Sequence, residues 1–157
     1  MFRLFVPAFI MLLALTPAQA KRVALVIGNS KYVTVGELFT PKRDVPLIEK
    51  ALRESGFEDV DVRMDLGLND LTTALREFSD KASDAEVALV YYAGHGMEIS
   101  HTNYLIPIDA KLKKAKDAGF EAIDRGRAQG RVPADIFQDL RFGVPANWLR
   151  EIGRAHV

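Results

Sequence analysis

The sequence predicts an α/β fold, a three-layer sandwich in which helices flank a mostly parallel sheet. Three observations carry this expectation. Arg22 to Ile27 (RVALVI) and Val87 to Ala93 (VALVYYA) are near-continuous aliphatic runs, the pattern of strands buried on both faces. Between them lie two segments with helical apolar spacing, separated by the alternating run Val60 to Met64 (VDVRM). Strand and helix therefore alternate, and right-handed crossovers of this length place the helices over the sheet faces.

Each element has its own justification. Residues 1–20 combine a short positive start at Met1 and Arg3, an apolar run from Leu4 to Leu15, Pro17, and the small-x-small pattern Ala18-Gln19-Ala20. They read as a secretory signal peptide, the run being shorter than the roughly 20 residues that span a bilayer. The expectation is a secreted or periplasmic protein with no stable membrane anchor after cleavage. Arg22 to Ile27 then forms a central strand closed by Gly28-Asn29. Asp44 is placed to cap a first helix with the stripe Val45, Ile48, Ala51 and Leu52, Pro46 in its first turn and Gly56 at its stop. Val60 to Met64 is a half-buried strand near an edge. Asn69 caps a second helix with the stripe Leu71, Leu75, Phe78 and Ala82. Val87 to Ala93 ends at Gly94-His95-Gly96, and Asn103 to Ile108 is the second arm of a hairpin with Glu98, Ser100 and His101 near its turn.

Composition excludes several function classes. The chain has 157 residues, 21 Lys plus Arg against 21 Asp plus Glu, and 48% hydrophobic residues. Balanced charge argues against a nucleic-acid-binding surface, and the apolar content is enough for a core. Zero cysteines remove disulfides, thiolate metal sites and any cysteine nucleophile. There is no P-loop and no G-x-G-x-x-G, and the three-residue spacing of His95, Glu98 and His101 falls on a loop and hairpin rather than a helix face. No metal and no cofactor are expected.

Ligands of open parallel sheets gather at the carboxyl ends of the strands. Two such ends carry unusual chemistry, Gly28-Asn29-Ser30 and Gly94-His95-Gly96. At the second, glycines on both sides leave the backbone free to bring the His95 imidazole into a cleft, and the Gly96 N–H can approach a reacting carbonyl oxygen. That is half of a base-plus-oxyanion site, and it needs a nucleophile within hydrogen-bond reach. Ser30 is one candidate, in a serine hydrolase reading, although Gly28 to Tyr32 is not the G-x-S-x-G elbow that exposes a serine.

Arg22 to Asn29 with Tyr32, Asp44 opening a helix that ends in Glu54-Ser55-Gly56-Phe57, Tyr91 to Gly96 (YYAGHG) and Asn103 to Ala110 (NYLIPIDA) occur in order. From about Lys21 to Asp124 this arrangement resembles the large-subunit domain of bacterial caspase-like peptidases, in the clan of caspases and metacaspases. The resemblance implies a cysteine-type endopeptidase acting on protein or peptide substrates. It makes His95 the base of a Cys–His dyad and the Gly96 N–H half of the oxyanion hole. Asp44 matches an Asp that the metacaspase-like branch associates with a basic residue at the cleavage site, with helix N-capping as its alternative role. Arg43 stands where that family often has Asn.

The departure lies downstream. The family's cysteine belongs on a later strand, about 50 residues past the histidine, which falls near Pro145. No cysteine is there, and Arg125 to Glu151 shows no buried β run. Ile152 to Val157 resembles a translated sequencing adapter, so residues 125–157 are expected to be a frameshifted or artefactual tail on a truncated domain. The expectations are an inactive chain with an exposed sheet flank, marginal stability, and Trp148 with Leu149 as an improvised cover. The alternative is a non-catalytic caspase-like pseudoenzyme or peptide-binding module.

Overall fold

The computed structural model describes residues 21–124 and the backbone of residues 140–143. Residues 1–20, for which a signal peptide is expected, lie outside the described residues, as do Pro145, Trp148, Leu149 and the C-terminal ending. Among those described, the order is β1 (Arg22–Gly28), α1 (Thr40–Glu54), β2 (Asp59–Met64), α2 (Leu68–Ala82), β3 (Val87–Ile99), β4 (Thr102–Leu105), a 3-10 turn (Ala115–Asp117), α3 (Ala118–Glu121), β5 (Ile123–Asp124) and β6 (Leu140–Gly143).

The fold is the expected α/β sandwich. β1 lies between β2 and β3, parallel to both. Its odd residues Val23, Leu25 and Ile27 pack with Leu71, Leu75 and Phe78 of α2. Its even residues Ala24 and Val26 pack with Val45 of α1, with Ile48 and Leu52 alongside. This alternation makes β1 the two-sided centre of the core. Leu71, Leu75 and Phe78 are essentially solvent-free, each worth about 1.5–3 kcal/mol relative to exposure. Among the described strands β2 lies at the sheet edge, as its alternating pattern predicts.

Four expectations need correction. First, Asp44 is not the N-cap of α1. The helix begins at Thr40, with Phe39 at the cap position and Pro41 in the first turn, so Asp44 lies inside it. Pro46 is likewise internal. Both Pro46 and Lys42 are exposed, so water can satisfy the carbonyl that Pro46 leaves without a donor. Second, Asn69 is not the cap of α2, which starts at Leu68 after Gly67. The Asp109 carboxylate, 41 residues on, accepts the Leu68 N–H at 2.9 Å, and a Cβ on Gly67 would stand 2.8 Å from it. A distant residue supplies what a local side chain was expected to supply.

Third, β3 does not stop at Gly94. It runs through Gly94-His95-Gly96 to Ile99 because β4 zips onto it antiparallel, pairing Gly96 with Leu105 and Ile99 with Thr102. The two-residue loop Ser100-His101 has φ of 49° and 63°, the left-handed pair that a type I′ hairpin requires. The hairpin itself is as expected. Fourth, the segment read as lacking a strand contains β6. It pairs parallel with β3, Tyr92 with Leu140 through His95 with Gly143, so the flank expected to be bare is paired there. Backbone hydrogen bonding can recruit a short segment that carries no β-branched pattern.

Candidate active site at the seam of the central strand

His95 lies where one edge of β3 changes partner. The Ala93 carbonyl accepts the Asn29 N–H at 2.8 Å, the last bond to the β1 side, and the His95 carbonyl accepts the Ile106 N–H at 3.1 Å, the first to the hairpin side. Backbone groups of a strand alternate between its edges, so Gly94 and Gly96 direct theirs to the opposite edge, where β6 pairs. The Gly96 N–H is therefore aimed along the β6 edge, one residue past the pairing of His95 with Gly143.

In a regular ladder the His95 N–H would bond the Ile106 carbonyl. Here it donates to the Tyr32 hydroxyl at 2.7 Å. The Ile106 carbonyl instead accepts the Tyr92 hydroxyl at 2.7 Å and the Tyr32 hydroxyl at 3.3 Å. The two hydroxyls stand 3.3 Å apart, and the Asn29 Nδ2 donates to the Tyr92 oxygen at 3.5 Å and the Ile106 carbonyl at 3.4 Å. Two phenols and a carboxamide thus fill the gap where β1 has ended and β4 has not begun. Burial raises the Tyr32 pKa and pushes that of Tyr92 well above its ordinary value, so both act as neutral hydroxyls. The Tyr32 ring also packs on the His95 imidazole, with centroids 4.4 Å apart and planes tilted 52°. His95 itself is 7% exposed.

Two glycines of this region, Gly94 and Gly28, are required by space. A Cβ on Gly94 would lie 2.6 Å from both tyrosine oxygens, and one on Gly28 would lie 2.6 Å from the Val45 Cγ2. The second contact fixes the start of α1 over the carboxyl end of β1. Asp44, next to Val45, therefore stands at the same end of the sheet as His95. It is half-buried, and the Arg43 Nε donates to its Oδ1 at 3.2 Å.

Ser30 is fully buried and its hydroxyl donates to the Leu38 carbonyl, which leaves it poorly placed to attack a substrate. Its amide and that of Lys31 donate to the Asp65 carboxylate at 2.8 and 2.9 Å. Glu98 and His101 meet at the hairpin turn, 3.6 Å apart, and no group of three metal-ligating side chains occurs among the described residues. The roles of Tyr32, Tyr92 and Asn29 around His95 were not legible in the sequence. The available signals were a polar residue, Asn29, immediately after a run of buried aliphatics, and Tyr32 just beyond it in the motif that carries the resemblance.

Residues 21–127 match the family model described as the caspase domain. Over 94 residues, 60% of this chain, the sequence is 34% identical to mucosa-associated lymphoid tissue lymphoma translocation protein 1 of Homo sapiens, and to the same degree to its homologue in Mus musculus. The match spans 11% of the length of each of those relatives.

Proposed function

This chain belongs to the caspase domain family, and from that membership we propose that residues 21–124 form the base-carrying part of a cysteine-type endopeptidase site for protein or peptide substrates. The observation that carries the reading is the placement of His95 and Gly96 on β3, with β6 parallel alongside and Gly143 in register with the histidine. Paired residues of neighbouring strands share a sheet face and lie about 4.8 Å apart. A thiol on that neighbouring strand end would be within reach of the His95 imidazole.

In the proposed chemistry His95 takes the thiol proton, the thiolate adds to the peptide carbonyl, and the Gly96 N–H receives the developing oxyanion. The imidazolium then returns the proton to the leaving amine. The 157 residues contain no cysteine, so a polypeptide of this sequence is expected not to hydrolyse peptides by this route. Asp44 is the proposed carboxylate for a basic substrate side chain, with Arg43 as its competitor. Residues 1–20 are the proposed export signal, which would place the domain outside the cytoplasm. Among the described residues no helix is long and apolar enough to cross a membrane.

The test installs one thiol in a protein that has none. Gly143→Cys occupies the position registered with His95, and Pro145→Cys the position about 50 residues past it. Alkylation by iodoacetamide at pH 6 should be at least about tenfold faster in one of them than in its His95→Ala counterpart, because a nearby imidazolium raises the thiolate fraction. Equal rates with and without His95 in both positions would remove the base assignment. Peptide hydrolysis by the cysteine-free parent would remove the thiol mechanism.

A further inference from the structure

We propose that Tyr32 is the positioning residue for His95, holding its backbone through the hydroxyl and its imidazole through the ring. The inference rests on the reading of His95 as the base and deepens it. The hydroxyl accepts the His95 N–H at 2.7 Å, in place of the ladder acceptor that a regular strand would offer. The ring lies 4.4 Å from the imidazole, tilted by 52°. One side chain therefore touches both ends of the histidine.

The position calls for such a clamp. Glycines on either side leave His95 with little backbone restriction of its own, and it sits at the seam where the strand exchanges β1 for the hairpin. A base must be held in a reactive orientation, and small misplacements cost large factors in rate. Tyr32 is itself held. Its hydroxyl lies against that of Tyr92 and within donating distance of the Ile106 carbonyl, its amide donates to the Ser30 carbonyl at 3.1 Å, and the neighbouring Val33 amide donates to the Ile108 carbonyl at 2.9 Å. The loop after β1 is thus pinned to the segment after β4, and the tyrosine reaches the seam from a fixed base.

Two variants separate the two contacts. Tyr32→Phe keeps the ring and removes the hydroxyl, whereas Tyr32→Leu removes both. The full chain, isotope-labelled at histidine and with His95→Ala to assign its signals among the three histidines, is read by NMR. In Tyr32→Phe the His95 amide should exchange about tenfold faster or more, while the imidazole proton shifts stay near those of the parent. In Tyr32→Leu the imidazole shifts should move as the ring current is lost. In whichever of the Gly143→Cys and Pro145→Cys backgrounds responds to His95, the alkylation pH profile should move toward that of a free thiol in Tyr32→Leu and be largely restored in Tyr32→Phe.

Unchanged imidazole shifts in Tyr32→Leu, even with a lowered melting temperature, would overturn the positioning role. If Tyr32→Leu does not fold, unchanged His95 amide exchange in Tyr32→Phe overturns it. Failure of the base reading is separately visible, as alkylation that ignores His95 in both cysteine backgrounds while the NMR shifts still respond to Tyr32.

Discussion

Asn29 and Leu66 bind each other twice. The Asn29 Oδ1 accepts the Leu66 N–H at 2.9 Å, and the Asn29 Nδ2 donates to the Leu66 carbonyl at 3.3 Å. Both residues are buried, so the carboxamide replaces a strand partner for a backbone that has left the sheet. Asn29→Ala leaves the Leu66 N–H unsatisfied away from water. It should destabilise the fold by about 1–3 kcal/mol, measured as a lowered urea midpoint at constant slope.

Gly94 and Gly36 make a matched pair of tests. Gly94→Ala forces a Cβ against the hydroxyls of Tyr32 and Tyr92, whereas nothing lies within 4 Å of a Cβ on Gly36. The first should cost about 1–3 kcal/mol and loosen the His95 amide. The second should be neutral or stabilising by up to about 1 kcal/mol. Comparable thermal shifts in the two would show that the space at Gly94 is not limiting.

Asp109 caps α2 across a long sequence distance. Asp109→Ala should cost about 0.5–2 kcal/mol, as loss of a conventional N-cap does. Asp109→Asn should cost less, because its side-chain oxygen still accepts the Leu68 N–H. Thermal melting of the two variants ranks them, and an equal loss would place the effect in charge rather than hydrogen bonding.

Asp65 gives the fold an acid-sensitive tie. Burial pushes its carboxyl up, but the donated N–H groups of Lys31 and Ser30 and the Lys31 ammonium together outweigh this and hold it below the ordinary carboxylate range. A depressed folded pKa means that the stabilisation is complete above the unfolded value of about 4. It is lost as pH falls through the lower folded value. Asp65→Asn tolerates the backbone φ of 57°, so it should flatten the acid limb of the stability profile without unfolding the protein at neutral pH. An acid limb identical to the parent's would exclude Asp65 as its source.

For Asp44, the proposed contact to a basic side chain predicts that Asp44→Asn weakens binding of a lysine- or arginine-containing peptide relative to its norleucine counterpart. Equal affinities of parent and variant, read by calorimetry, would leave the carboxylate with its Arg43 contact alone.

The legible parts of the fold were those with strong periodicity. RVALVI, VALVYYA and the stripe Leu71, Leu75, Phe78 and Ala82 each landed on the core. Helix starts were misread at Asp44 and Asn69. A capping side chain is only one of several ways to satisfy the first N–H groups, and the acceptor at α2 is Asp109. The strand at Leu140–Gly143 was missed because its pairing comes from the open edge of β3, with no pattern of its own to announce it.

By itself, the sequence determined the α/β alternation, the central strands, the hairpin and the pairing of His95 with flanking glycines, since burial periodicity and motif chemistry are local properties. The tertiary structure alone decided where β3 ends, what caps α2, which edge Gly96 faces and what holds His95. Those depend on groups tens of residues apart, brought together only when Asn29, Tyr32 and Tyr92 close the seam between β1 and β4. There the backbone must find partners that no neighbouring strand supplies.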